Sequence, residues 1–119
     1  DLAPADGEFV RHCSPDPVQL FRFSALTFNG HRIHYDHPYV TAVEGYPGLV
    51  VHGPLIALEM LNALQAAQPG LVLRGFDFTP KRPITVPMTM HAHGKRDGDG
   101  WSLWMETDGA LASVGRVTA

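Results

Sequence analysis

The chain has 119 residues, 45% of them hydrophobic, and a net charge of -3 with histidine neutral. That describes one domain of ordinary size, able to bury a core yet small enough to gain from a partner. Slight acidity without a basic run argues against a nucleic-acid surface, no apolar stretch approaches the ~20 residues of a membrane span, and the single cysteine, Cys13, has no internal disulfide partner.

The stretch Asp1–Pro17 is punctuated by Pro4, Gly7, Pro15 and Pro17 and has little apolar periodicity, which predicts an extended arm or linker. Its start, with neither an initiator methionine nor a charged-then-apolar leader, is expected of a chain trimmed or cut from something longer. A cytoplasmic setting is expected, or a mitochondrial one in a eukaryote. Residues 18–119 read as one domain. Val18–Phe28 alternates weakly and carries Phe21, Phe23 and Phe28, so a short strand leading into a turn or helix is expected there. Asn29–Pro47 is polar, rich in histidine and broken by Gly30, Pro38, Gly45 and Pro47, which makes it loop with one or two helical turns.

Pro54–Ala67 holds Leu55, Ile56, Leu58, Met60, Leu61 and Leu64, an apolar pattern that wraps most of a helix and predicts burial. After Pro69-Gly70 come four predicted strands: Leu71–Phe78, Thr85–His93, Trp101–Thr107 and Ala110–Thr118. Lys95–Gly100 reads as a polar hairpin loop and Asp108-Gly109 as a two-residue turn needing positive φ. One buried helix followed by an antiparallel meander is an α+β layout, with the sheet wrapped around the helix. Trp101 and Trp104 would lie on opposite faces of their strand, one buried and one available to a partner.

Two segments carry chemistry. Asn29-Gly-His-Arg-Ile-His34-Tyr-Asp36 puts two imidazoles, a carboxylate and a carboxamide into one short loop. Histidine titrates near neutral pH, so His34 is suited to move a proton. Val50-Val-His52-Gly53-Pro54 then opens the apolar helix. A helix start offers unpaired N–H groups to a developing negative charge, and these would be the Gly53 N–H and, beyond the proline, the Leu55 N–H. Gly53 also lets a ligand approach the backbone closely.

His31, His34 and His37 are spaced by three and, with Asp36, could converge on a metal, and His91 and His93 share a strand face. Gly30 and Pro38 frame that loop, however, and no zinc pattern such as His-Glu-x-x-His is present, so no metal is expected. His12, His37, His91 and His93 read as structural, His31 as lining the site or bonding its own loop, and His52 as packing under the helix start. Cys13, Ser24 and Thr27 carry no nucleophile signature.

With these residues in view, the chain resembles the hot-dog fold of the MaoC-like, R-specific enoyl-thioester hydratases and 3-hydroxyacyl-thioester dehydratases. Leu20–Asp36 and Glu44–Pro54 are closest to the branch holding mesaconyl-C4-CoA and itaconyl-CoA hydratases and mitochondrial 3-hydroxyacyl-thioester dehydratases. The resemblance is strong over Leu20–Leu61 and compatible beyond. It implies that His34 matches the family's histidine and Asn29 its aspartate, five residues earlier. That substitution is a departure, since a carboxamide orients water but cannot take its proton. Gly53 matches the glycine whose N–H binds the thioester oxygen.

The implied activity is reversible addition of water to a 2,3-enoyl thioester, with coenzyme A or an acyl carrier as substrate handle and no cofactor. The implied assembly is a homodimer or a pair with a second hot-dog domain or subunit. A hot-dog thioesterase and a non-catalytic acyl-thioester-binding subunit are the alternatives. Arg22 and Arg32 could pair with a distal carboxylate of the substrate or be surface charges.

Overall fold

A five-stranded antiparallel sheet, curled over one long helix, organises the computed structural model, which describes residues 1–119. In chain order the elements are β1 (Phe9–Cys13), α1 (Pro17–Thr27), a short 3-10 turn (Arg32–His34), α2 (His37–Ala42), α3 (Gly53–Ala67), β2 (Gly75–Pro80), β3 (Met90–Asp97), β4 (Gly100–Thr107) and β5 (Ala110–Thr118). The strand order is β1-β3-β4-β5-β2.

The meander follows the turn chemistry of its sequence. Thr107 pairs with Ala110, and Asp108 and Gly109 between them take φ of 51° and 78°, the two positive values that a tight hairpin of this type demands. At the other hairpin β3 continues to Asp97, opposite Gly100. Much of the expected Lys95–Gly100 loop is therefore strand, because Gly98, at φ 63°, makes a two-residue turn sufficient.

Leu55, Ile56, Met60, Ala63 and Leu64 of α3 are buried against the inner sheet face, where Met90, Ala92, Leu103, Met105 and Val117 complete the core. Gly115 keeps β5 close to the helix: a methyl group there would press on the Phe76 ring and the Met60 side chain. The opposite flank of α3, around Leu58, remains half exposed. No helix is long and apolar enough to cross a membrane.

Two N-terminal expectations are corrected. Residues 1–17 are not a free arm: β1 adds an edge strand beside β3, and Asp1, Ala3 and Glu8 bond along the sheet to Leu111, Gly109 and Gly94. The segment crosses the outer face, packs Gly7 against His93 and Trp104, and so buries Trp104 as fully as Trp101. Residues 17–27 are helix and contain no strand. The deciding signal is Asp16-Pro17, where the Asp16 carboxylate accepts from Gln19 N–H at 2.8 Å and the proline sits in the first turn. Those capping preferences override the weak strand propensity of the phenylalanines.

Candidate active site

The short segment Gly48–His52 builds the site, although it belongs to no sheet. Val50 N–H donates to Ile33 C=O, Val51 N–H to Ile84 C=O, and Leu49 C=O accepts from Val86 N–H, all within 2.9 Å. One extended stretch thus joins the 3-10 turn, the loop before β3 and the start of α3, three elements distant in sequence.

His34 closes the 3-10 turn and is 7% exposed. Its Nδ1 lies 2.7 Å from Val50 C=O. A carbonyl only accepts, so Nδ1 carries the proton and Nε2 keeps its lone pair. Burial draws the imidazole below its ordinary pKa, opposed by the bond to Val50 and aided by His31 nearby. A buried, neutral imidazole with a fixed tautomer is equipped to accept a proton at neutral pH.

His52, expected only to pack, is the residue that sequence reasoning undervalued. It is fully buried, and its ring stacks on His34 with centroids 3.8 Å apart and planes inclined by 16°. Its Nε2 lies 2.7 Å from Ser24 Oγ on α1, while its Nδ1 has no partner. Burial lowers its pKa to about 4, with the charge of His34 as a smaller cause. Ser24 would have been legible had α1 been recognised, because it lies one turn from the buried Leu20 on the inward face.

Gly53 opens α3, one residue before the expected start, with His52 as its N-cap. The first bond of the helical ladder runs from Ile56 N–H to His52 C=O. Gly53 and Leu55 N–H therefore precede the ladder. His34 and Gly53 share the wall of a cavity of about 410 Å³ with Val51, Ile56, Lys81 and Arg82. Asn29, His31 and Leu55 are not in that wall. Asn29 Oδ1 accepts from His31 N–H at 3.1 Å and so shapes the loop, and its side chain lines a second, apolar cavity of about 330 Å³ with Phe21, Phe28 and Tyr35. His31 is exposed and meets the His34 ring edge-on at 5.7 Å. Leu55 is buried in the core.

Of the two readings open for Arg22 and Arg32, the structure favours surface charges, since both are exposed and neither lines the His34 cavity. Arg32 is engaged with Asp36 at 2.9 Å and lies over the Tyr39 ring, whereas Lys81 and Arg82 reach the cavity and make no ion pair. Cys13 faces the core, where burial, assisted by Glu59, pushes its thiol up to about 12 and away from nucleophilic use. No three His, Cys, Asp or Glu side chains converge as metal ligands.

The sheet curled over α3 is a hot-dog fold, with a buried histidine and a glycine helix start in one cavity wall. Residues 2–86 match the model of hydroxyacyl-thioester dehydratase type 2, and the chain belongs to that family. It is 44% identical over 113 residues to mesaconyl-C(4)-CoA hydratase of Chloroflexus aurantiacus, covering 94% of this chain and 40% of that protein. It is 34% identical over 109 residues to the mitochondrial hydroxyacyl-thioester dehydratase type 2 of Schizosaccharomyces pombe, covering 87% of this chain and 36% of that one. The chain thus spans about two fifths of the length of the relatives it matches. The fold matches the (R)-hydratase from A. caviae involved in PHA biosynthesis at TM-score 0.77 and 20% identity, covering 96% of both chains. It matches HtdX of Mycobacterium tuberculosis at TM-score 0.78 and 20% identity, covering 98% of this chain and 47% of that one.

Proposed function

We propose that this chain is the catalytic unit of a hydro-lyase that reversibly adds water to a 2,3-enoyl thioester. The observation that carries the reading is a fixed-tautomer His34 in one cavity wall with Gly53 at a helix start. His34 Nε2 takes a proton from water as the water oxygen bonds to C3. The π electrons move toward the thioester carbonyl, whose oxygen accepts from the Gly53 N–H at the helix start. The His34 imidazolium then returns that proton to C2 as the enolate electrons re-form the carbonyl, giving the 3-hydroxyacyl thioester and a neutral His34. Asn29, whose Oδ1 accepts from His31 N–H, orders the loop that carries His34, and its carboxamide cannot serve as base. The step needs no cofactor, and coenzyme A or a carrier protein serves as the handle.

Within that class we assign a dicarboxylic enoyl thioester of the mesaconyl or itaconyl type as substrate. Two unpaired cations, Lys81 and Arg82, in the wall of the His34 cavity support this, together with the 44% identity to a mesaconyl-C(4)-CoA hydratase. A second hot-dog unit, as another copy or another domain, completes the working site. Exposed Val18, Phe21 and Phe28 on one side of α1 supply an apolar surface for it, and the relatives are more than twice as long as the matched stretch. The compartment proposed is the cytoplasm, or the mitochondrion in a eukaryote.

A panel of dicarboxylic and aliphatic enoyl-CoA esters tests the reading, followed by loss of the conjugated thioester's ultraviolet absorbance at the protein's native oligomeric state. Hydration is expected, with dicarboxylic esters preferred and a loss of ~10²-fold or more in His34→Ala. Release of free CoA thiol without hydration would transfer the chain to the thioesterases. Binding without turnover would make it a non-catalytic subunit, and turnover of aliphatic esters alone would sink the dicarboxylic assignment.

A further inference from the structure

His52 takes no part in the water-adding step as drawn: it is fully buried and lines none of the cavities. A leucine or phenylalanine would fill the same volume without leaving a polar atom unpaired. The chain instead buries an imidazole there, sets one nitrogen against the Ser24 hydroxyl and leaves the other without a partner. An unpartnered buried polar atom costs stability, and packing alone does not explain it.

We infer that His52 is a positioning residue, a neutral imidazole platform clamped by Ser24, that fixes the plane of His34 and keeps the positive charge of the pair on His34. This deepens the proposed hydro-lyase function and rests on it for its kinetic consequences.

Three geometric points carry the inference. The bond from Nδ1–H to Val50 C=O anchors one edge of the His34 ring but leaves rotation about that bond free, and a parallel ring 3.8 Å away removes the freedom. The surroundings of the pair supply no counter-charge. From α1 come only the Ser24 hydroxyl and the Phe23 ring, whose centroid is 4.8 Å from that of His52. From the 3-10 turn come His34 and, beyond it, His31. The cavity wall that His34 shares holds two cations, Lys81 and Arg82, and no carboxylate. Two imidazoliums stacked without a counter-ion repel strongly, so a proton taken by His34 requires a neutral His52. Finally, His52 is bonded to Gly53. One residue therefore sets the distance between the base it supports and the oxyanion donor it precedes, and rate is sensitive to that spacing.

Three substitutions in the full chain separate the parts: His52→Phe keeps a ring without the Ser24 bond, His52→Gln keeps a bonding group without a ring, and Ser24→Ala removes the clamp. Ring-nitrogen NMR on histidine-labelled protein reads tautomer and charge without turnover, and the pH profile of kcat and KM on an enoyl-CoA ester reads the consequence. In the parent chain, His34 is expected to show a single Nδ1–H tautomer and His52 to stay neutral between about pH 8 and pH 5. His52→Gln and Ser24→Ala should lower kcat at least ~10-fold with KM within about twofold, and should blur the His34 tautomer signal. His52→Phe, which keeps the stacked ring but also loses the Ser24 bond, should fall with Ser24→Ala and retain more of the tautomer signal and of kcat than His52→Gln. Unchanged kcat and tautomer in His52→Gln and Ser24→Ala, or a His52 that takes up a proton above about pH 5, would overturn the inference. If the parent chain hydrates no thioester, the hydro-lyase reading falls while the NMR arm still decides the positioning role.

Discussion

The imidazoles of His34 and His52 lie face to face, 3.8 Å between centroids, yet only His34 reaches a cavity. One ring is placed where a proton can arrive, and the other is sealed beneath it on Ser24.

That burial makes the fold sensitive to acid. His52 is held near about 4 in the folded chain against about 6.5 when unfolded, so the unfolded state binds the extra proton between those values. The stability due to neutral His52 is complete above pH ~6.5 and is lost as pH falls toward about 4, a change on the order of 3 kcal/mol. His34 is shifted in the same direction and adds to the loss. Urea midpoints measured from pH 7 down to pH ~4 should fall steeply in the parent chain and less steeply in His52→Phe. Parallel curves would refute this.

Gly53→Ala separates fold from function. A methyl group there would meet only the Phe78 ring at an ordinary 3.9 Å, so the melting temperature should hold within a few degrees. The same methyl narrows the approach of a substrate oxygen to the Gly53 N–H, and kcat/KM for enoyl-thioester hydration should fall ~10-fold or more. Equal activity in the variant would remove Gly53 from the oxyanion role.

At Asn29 two substitutions part shape from chemistry. Asn29→Asp retains an oxygen for His31 N–H and should keep hydration within ~10-fold of the parent, whereas Asn29→Ala loses the bond that orders the loop and should fall further. Steady-state rates of both, read beside His34→Ala, rank the roles. An alanine variant as active as the parent would leave Asn29 without one.

Gly48 is required by backbone proximity. A methyl there would run into the Val86 carbonyl, on the partner segment that holds Leu49 in place. Gly48→Ala should cost about 1–3 kcal/mol in denaturant unfolding. A midpoint equal to the parent's would show that the segment yields.

The meander was legible because its causes are local. Asp108-Gly109 specifies its turn, and alternation specifies the faces of β3 to β5. β1 was not, since a five-residue edge strand flanked by prolines has no strong periodicity of its own and forms by pairing with β3. Nor was α1, whose phenylalanines have strand propensity while the Asp16-Pro17 cap sets the helix. For the site, His34 and Gly53 were found as residue types suited to their chemistry, and the structure sets them in one wall. Ser24, Lys81 and Arg82 were not found, because each reaches the site only through contacts across the fold.

By itself, then, the sequence determined the α+β layout, the apolar helix to within one residue of its start, and the candidacy of His34, all properties of short stretches acting through propensity, capping and side-chain chemistry. Only the tertiary structure decided which nitrogen of His34 is free, because the Val50 carbonyl that claims the other lies 16 residues away. It alone decided that His52 lies under His34, that Asn29 faces a different cavity and that Lys81 and Arg82 flank the site. These are distances between segments remote in the chain, fixed by packing and backbone pairing rather than by any local pattern.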